Sequence, residues 1–152
     1  MGRVLTAAEA LARVPQQEPF RFVDEIAELS AERAVGRYRW RKDADVYRGH
    51  FPGNPVTPGV LLVESMAQCG VVPLALFLFY RDLDDADAEK FQTLFTDAQV
   101  DFSGVVRPGD LVTTESRVIF YRRRKVRVEA TMTSEDGKVV CSGQLAGMGV
   151  PR

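Results

Sequence analysis

Ligands for a metal site or a disulfide framework are scarce in this chain. Its 152 residues include one histidine, His50, and two cysteines, Cys69 and Cys141, which stand far apart and match no metal-ligand spacing. A zinc site draws on about four nitrogen or sulfur ligands, so this composition argues against zinc and against a disulfide framework. Isolated thiols are typical of a reducing cytoplasm. We expect no metal or redox cofactor and a cytoplasmic protein.

The chain also lacks an excess of charge of either sign. Lysine plus arginine number 20 and aspartate plus glutamate number 21, for a formal net charge of -1. No global field therefore favours nucleic acid. Two local basic runs, "RYRWRK" (Arg37 to Lys42) and "YRRRKVR" (Tyr121 to Arg127), are either solvated strand and turn residues or a docking patch for an acidic partner. The stretch "MGRVLTAAEALARVPQQ" lacks the apolar core of a signal peptide.

One long apolar stretch is present, from Val60 to Tyr80, with a length of about 20 residues that is near the span of a membrane. It is interrupted by Glu64, Ser65, Gln68 and Pro73. A carboxylate at the centre of a membrane helix is costly. A helix buried inside a soluble protein explains the same pattern with less strain, so we expect no membrane span.

The remaining segments predict one short helix and several strands. Leu5 to Arg13 is typical of a helix with Thr6 as its N-cap and Glu9 completing a capping box. Asp136-Gly137 is a strong hairpin signal. The acidic segment "YRDLDDADAEK" is predicted to be an exposed loop. Strands are predicted at "FRFVDEIAEL", "ERAVGRYRWR", "LFTDAQVDFSG", "LVTTESRVIFY", "VRVEATMTS" and "VVCSGQLAGM".

One dominant helix, about five or six strands joined mostly by hairpins, and no βαβ alternation predict an α+β fold. A helix that is apolar all round needs cover on every side. One curved antiparallel sheet can wrap most of it, and the remaining face should pack against another copy of the chain. The length suits a single domain over residues 1–152.

The stretch "GHFPGNPVTPGVLLVESMAQCG" combines the only histidine with a stiff turn and one acid in an apolar helix. The prolines of the turn limit the freedom of the loop that holds His50. Gly59 opens the helix and brings a bare backbone N–H to its positive end, where negative charge is stabilised. Glu64 lies among apolar neighbours, which should raise its pKa and suit it to general acid work. Gln68, four residues on, can orient Glu64.

The same stretch resembles the signature of the (R)-3-hydroxyacyl-acyl carrier protein dehydratases of Z type. The resemblance extends to "EPFRFVDEI", "VVRPGDLV" and "GKVVCSGQL", and so covers most of the chain. It implies the hot-dog fold, a curved antiparallel sheet wrapped around a long central helix, in homodimers that often assemble into hexamers. It departs from the usual motif at Thr57, where the family has methionine, and at Gln17 and Glu18, where a His-Arg-Tyr run often precedes the first strand.

The resemblance also implies a mechanism at the dimer interface. His50 of one subunit removes the proton next to the thioester, Glu64 of the other helps the hydroxyl leave as water, and the Gly59 N–H stabilises the thioester oxygen. Leu62 and Met66, together with Phe77, are candidates to line the acyl tunnel. The partner is acyl carrier protein, an acidic protein that either basic run could attract. The pathway is fatty acid synthesis or a related polyketide or polyene pathway.

Two other functions fit the same fold. A hot-dog acyl thioesterase would hydrolyse the acyl group with an acid and an activated water, but the His-Phe-Pro-Gly turn argues against it. A non-catalytic acyl-binding subunit would not need both His50 and Glu64.

Overall fold

The computed structural model describes residues 2–152, in which a six-stranded sheet curves around one long helix. The helices are α1 Ala7–Arg13, α2 Val46–Gly49, α3 Gly59–Met66, α4 Val72–Asp82 and α5 Asp85–Ala88, with a π-helical turn, Ala67–Val71, joining α3 to α4. The strands are β1 Glu25–Leu29, β2 Arg33–Arg39, β3 Phe91–Phe102, β4 Leu111–Arg122, β5 Lys125–Ser134 and β6 Val139–Pro151.

All five strand pairings are antiparallel, and the strand order is β1-β2-β4-β5-β6-β3. Hairpins join β1 to β2, β4 to β5 and β5 to β6, whereas β3 lies at the far edge beside β6. This arrangement confirms the α+β class and the hot-dog fold that the resemblance implies.

The central helix is the core of the protein. The continuous stretch Gly59–Asp82 has 24 residues and a mean hydropathy of 1.8 in its most apolar window, of which 72% is buried inside the fold. It satisfies the length and composition of a membrane span, but its burial makes it the core helix of a soluble protein. The sheet covers the helix: four alternate residues of β5, Val126, Val128, Ala130 and Met132, are fully buried in the core.

Several features that short sequence patterns predict are present in the structure. Thr6 caps α1, and the Glu9 carboxylate accepts from the Thr6 N–H, which confirms the capping box. The Asp136-Gly137 turn is confirmed, with Gly137 at a φ of 83°. Tyr38 and Trp40 are buried while Arg39 and Arg41 are exposed, as the alternation predicts.

Two predictions from the sequence need correction. The first strand begins at Glu25 and not at Phe20, because the backbone of Phe22 bonds to side chains of the central helix instead of to a neighbouring strand. The segment Tyr80 to Lys90 is not simply an exposed loop. It contains the buried end of α4 and the short helix α5, whose Ala88 packs into the core.

The sheet and the central helix approach closely where both carry small residues. A Cβ atom placed on Gly36 of β2 would lie 2.6 Å from the Cβ and 2.9 Å from the Cα of Cys69 in the π-helical turn. Glycine within a strand often marks such a close backbone approach. Gly36 therefore sets the distance between β2 and the central helix.

We expect Gly36→Ala to destabilise the protein by about 1–3 kcal/mol, because a methyl group there must push the helix backbone away from the sheet. The measurement is the free energy of unfolding in urea. Gly49→Ala is the matched control, since a Cβ on Gly49 meets nothing within 4 Å. Equal stability of the two variants would show that the contact at Cys69 relaxes without cost.

Candidate active site

The loop that carries His50 is closed by its own hydrogen bonds. The Val56 N–H donates to the His50 carbonyl at 2.9 Å, and Phe51 and Asn54 exchange two backbone bonds of 3.1 and 2.9 Å. The Thr57 N–H donates to the Val106 carbonyl at 2.8 Å, which ties the loop to the segment before β4. His50 is therefore held on a short, internally bonded turn, as its prolines and glycines predict.

The imidazole of His50 has one nitrogen engaged. Nδ1 lies 2.7 Å from the carbonyl oxygen of Val56, and the ring stacks on Phe51 with centroids 4.0 Å apart. A carbonyl oxygen only accepts, so Nδ1 must carry the hydrogen. In the neutral ring, Nε2 then keeps its lone pair, which is the state that a general base needs.

Thr57, one of the departures from the family motif, has a structural partner. Its hydroxyl lies 2.7 Å from the Tyr47 hydroxyl, and both side chains are buried. A methionine at this position would leave the Tyr47 hydroxyl without this bond. Thr57 thus joins the loop to α2.

Glu64 lies one and a half helical turns after Gly59 and is partly buried. Its Oε1 accepts from the Gln68 side-chain Nε2 at 2.9 Å. Burial raises the pKa of Glu64, and the Gln68 bond, which favours the carboxylate, offsets part of that rise in pKa. The acid is therefore biased towards its protonated form, as its apolar neighbours predict.

Gln68 is fully buried and uses all its hydrogen-bonding groups. Its Oε1 accepts from the Phe22 N–H at 2.6 Å, and its Nε2 donates to the Phe20 carbonyl at 3.0 Å and to Glu64. Reversing the amide would set N–H against N–H and oxygen against oxygen. The backbone of Phe20 and Phe22 therefore fixes which end of Gln68 faces Glu64.

Gly59 begins α3, and its N–H has no acceptor among residues 2–152. An added Cβ would lie 3.1 Å from the ring of Phe102, so this ring crosses the start of the helix. A cavity of about 490 Å³ lies here, with an apolar lining from the helix and from β3: Gly59, Val60, Val63, Ala98, Val100 and Phe102.

A second, smaller cavity of about 170 Å³ contains Glu64. Its lining includes Ala67, Val71 and Val72 of the helix and Thr93, Leu94 and Phe95 of β3, together with Gln16 and Gly147. On the helix, residues 60, 63, 64, 67 and 71 of the two linings follow one stripe with a period close to 3.6. The two cavities therefore lie along one groove between the central helix and the edge strand.

A β-bulge in β3 fits the strand to this groove. The pairing with β6 shifts register between Phe95 and Asp97. Before the bulge Thr93, Leu94 and Phe95 line the groove, and after it Ala98, Val100 and Phe102 do. The extra residue changes which alternate positions point inward.

The structure brings some of the sequence-predicted residues together and separates others. Glu64 and Gln68 are bonded, and Gly59 lies on the same groove, but His50 lines neither of its two cavities. Leu62 and Met66 are buried in the core on another face of the helix, as is Phe77, and none of them lines the groove. Their role in holding an acyl chain stays a prediction.

None of the β3 residues that line the groove was predicted from the sequence, although the large apolar residues of this strand were a signal for them. The exposed fractions of Leu94, Phe95 and Phe102 are 50%, 43% and 51%, which is high for large apolar side chains on a strand. Such residues in "FQTLFTDAQVDF" do not alternate cleanly with polar ones, because the bulge interrupts the period of two.

In sequence, this chain is similar to proteins of one family. A family model described as the FabA-like domain matches residues 14–144. The 3-hydroxyacyl-[acyl-carrier-protein] dehydratase FabZ of Caldicellulosiruptor saccharolyticus is 37% identical over 135 residues, which cover 87% of this chain and 89% of that protein. The protein of the same name from Chloroflexus aggregans is 36% identical over 146 residues, which cover 93% and 94%.

Solved structures share the fold at low sequence identity. The dehydratase heterocomplex ApeI:P from Xenorhabdus doucetiae matches with a TM-score of 0.73 and 15% identity, over 99% of this chain and 94% of that one. Thioesterase HI1161 from Haemophilus influenzae matches with a TM-score of 0.68 and 14% identity, over 99% and 94%. From the family match and the curated relatives, this chain belongs to the FabZ-type 3-hydroxyacyl-[acyl-carrier-protein] dehydratases, which are hydro-lyases of fatty acid biosynthesis.

Proposed function

We propose that residues 1–152 form a single hot-dog domain that dehydrates (R)-3-hydroxyacyl chains on acyl carrier protein in the cytoplasm, with His50 as base and Glu64 as acid. The observation that carries this assignment is that the surroundings of the two side chains favour opposite protonation states. The Val56 carbonyl leaves Nε2 of neutral His50 unprotonated, while burial favours a proton on Glu64. A base and an acid poised in this way are what an elimination of water requires.

The chemical step balances within these groups. His50 Nε2 takes the proton from the carbon next to the thioester, and the electron pair of that C–H bond forms the new double bond. Glu64 gives its proton to the departing hydroxyl, which leaves as water. The Gly59 N–H and the positive end of the helix stabilise the negative charge on the thioester oxygen. The product is a trans-2-enoyl thioester, and no metal or redox group takes part.

A second copy of the chain is part of this proposal. The edge strand β3 has twelve residues and pairs on one side only, with β6. It exposes Leu94, Phe95 and Phe102, and Val60 beside it is 77% exposed. Long apolar edge strands are sites of pairing with another chain. A homodimer formed here, alone or within a hexamer, would cover the groove and bring His50 of one subunit towards Glu64 of the other.

The hairpin between β4 and β5 is the better candidate for docking the acidic carrier protein. In the other basic run, ion pairs engage Arg37 with Glu25, Arg39 with Glu135 and Arg41 with Asp24. The hairpin residues Arg122, Arg123 and Arg124 are exposed and form no ion pair with residues 2–152.

The backbone of this hairpin supports the same choice. Arg123 and Arg124 have φ values of 52° and 62°, a region that favours glycine and costs about 1 kcal/mol or more for other residues. Two arginines at these strained positions of a two-residue turn keep positive charge at its tip. Complementary charge of this kind mainly accelerates the encounter with an acidic partner.

We expect His50→Ala and Glu64→Gln each to lower the rate of enoyl thioester formation by about 10²–10⁴-fold, because each removes one proton-transfer group. Mass spectrometry of carrier-linked 3-hydroxyacyl substrates of different chain lengths measures the product and the preferred length. Glu129→Gln, at an exposed position of β5, is the control for the charge change and should keep full activity. Release of free thiol by the unmodified chain, without enoyl product, would instead indicate a thioesterase.

The raised pKa of Glu64 predicts a pH-dependent stability difference. The folded chain keeps a proton on Glu64 at pH values where the unfolded chain has lost it, so this contribution to stability is present at low pH and lost as the pH rises through the folded-state pKa. Glu64→Gln should therefore gain stability relative to the unmodified chain as the pH rises from about 4, near the ordinary pKa of glutamate, to neutral pH. Urea unfolding at both ends of that range measures it, and a constant difference would contradict burial of the acid.

Neutralising the hairpin tests the docking surface. Arg123→Asn with Arg124→Asn removes two charges, and asparagine tolerates positive φ. We expect kcat/KM for carrier-linked substrate to fall about three- to tenfold at low salt, with less effect at high salt, and no change for a pantetheine thioester. The control pair Arg37→Gln with Arg41→Gln removes the same charge from the other run. An equal loss in both pairs would contradict a docking site at the hairpin.

A further inference from the structure

Gln16 has an unusual environment in the cavity of Glu64. The side chain lines that cavity, and its Oε1 is buried without a hydrogen-bond partner among residues 2–152. A buried amide oxygen with no donor is unfavourable and rare in folded proteins. Most of the surrounding lining is apolar, so the cavity offers few groups to satisfy it. An acceptor left free at this place is suited to a donor that arrives with the substrate.

The segment that carries Gln16 is fixed by one arginine. The Arg21 guanidinium donates to the Gln16 carbonyl at 3.2 Å and to the Leu11 carbonyl at 3.1 Å, which belongs to the last turn of α1. These two Arg21 bonds hold the turn between α1 and the Phe20–Phe22 segment, so the position of Gln16 beside the cavity is built into the fold. Gln17 is exposed, and its Nε2 donates to the Val14 carbonyl at 3.2 Å, away from the cavity.

Gln16 and Glu64 are complementary to a hydroxyl group. Glu64 has Oε1 engaged by Gln68, and its Oε2 has no hydrogen-bond partner among residues 2–152. A protonated carboxyl donates one hydrogen bond, whereas the amide oxygen of Gln16 only accepts. A hydroxyl needs both, because its oxygen accepts and its hydrogen donates.

We propose that Gln16 is a substrate-binding residue whose Oε1 accepts the hydrogen of the substrate's 3-hydroxyl while Glu64 donates to the oxygen of the same hydroxyl. The inference rests on the proposed role of Glu64 and adds a residue to that site. When the C–O bond breaks, the Glu64 proton moves to the leaving oxygen, and the electron pair of the bond stays on that oxygen. The water that forms donates one hydrogen to Gln16 and the other to the Glu64 carboxylate.

This arrangement makes Gln16 a determinant of specificity. A saturated acyl thioester of the same length has no 3-hydroxyl, so it leaves the Gln16 oxygen unsatisfied. Sites that hydrogen-bond a hydroxyl discriminate against analogues that lack it for this reason. Gln16 should therefore contribute to binding of hydroxyacyl substrate and not to binding of saturated acyl chains.

The test compares Gln16→Met with Gln17→Met in the full chain. Methionine keeps the length of glutamine and removes the strong acceptor. For Gln16→Met, we expect kcat/KM for an (R)-3-hydroxyacyl pantetheine thioester to fall about two- to tenfold. The inhibition constant of the saturated acyl thioester of equal length should not change. Gln17→Met disturbs the same segment without reaching the cavity, and both constants should stay as in the unmodified chain.

Two outcomes would overturn the proposal. One is an unchanged kcat/KM in Gln16→Met, and the other is an equal weakening for both thioesters, which would indicate a packing role. Gln16→Leu provides the same comparison if the methionine variant does not fold. If the unmodified chain forms no enoyl product, the proposed function fails by itself. The ratio of dissociation constants for the two thioesters then still decides whether Gln16 recognises the hydroxyl.

Discussion

The arrangement of the acid depends on the amide of Gln68. It is buried in the π-helical turn and bonds to the backbone of Phe20 and Phe22 on one side and to Glu64 on the other. Because all its donors and its acceptor are engaged, it can adopt one orientation only. Gln68 thus joins the N-terminal segment to the central helix, and this junction sets the position of Glu64.

The same junction explains why the N-terminal segment is not part of the sheet. Phe22 donates its N–H to Gln68 and accepts the Ser65 hydroxyl at 2.8 Å, so it has no backbone groups left for a neighbouring strand. Its ring stacks on Trp40, the residue after β2, with centroids 5.4 Å apart, which anchors the segment beside the end of that strand. Polar bonds towards the helix and aromatic packing towards the sheet hold this segment, and with it the turn that carries Gln16.

Much of the architecture could be predicted from local patterns. The capping box of α1, the alternation of β5 and the Asp136-Gly137 turn each depend on neighbours in the sequence, and all are present in the fold. The faces of the central helix could not be separated, because the helix is apolar all round. Leu62 and Met66, the candidate tunnel residues, are buried in the core, whereas Val60 and Val63 line the groove, and contact of Leu62 or Met66 with an acyl chain stays a prediction. That division is set by the sheet, which surrounds the helix only in three dimensions.

The bulge in β3 divides the groove into two parts that can change separately. Thr93, Leu94 and Phe95 line the part beside Glu64, and Ala98, Val100 and Phe102 line the part beside Gly59. In the proposed substrate complex, a larger or smaller side chain at residue 95 changes the space beside Glu64, and one at residue 100 changes the space beside Gly59. The two parts of the groove can therefore diverge independently among proteins that share this bulge.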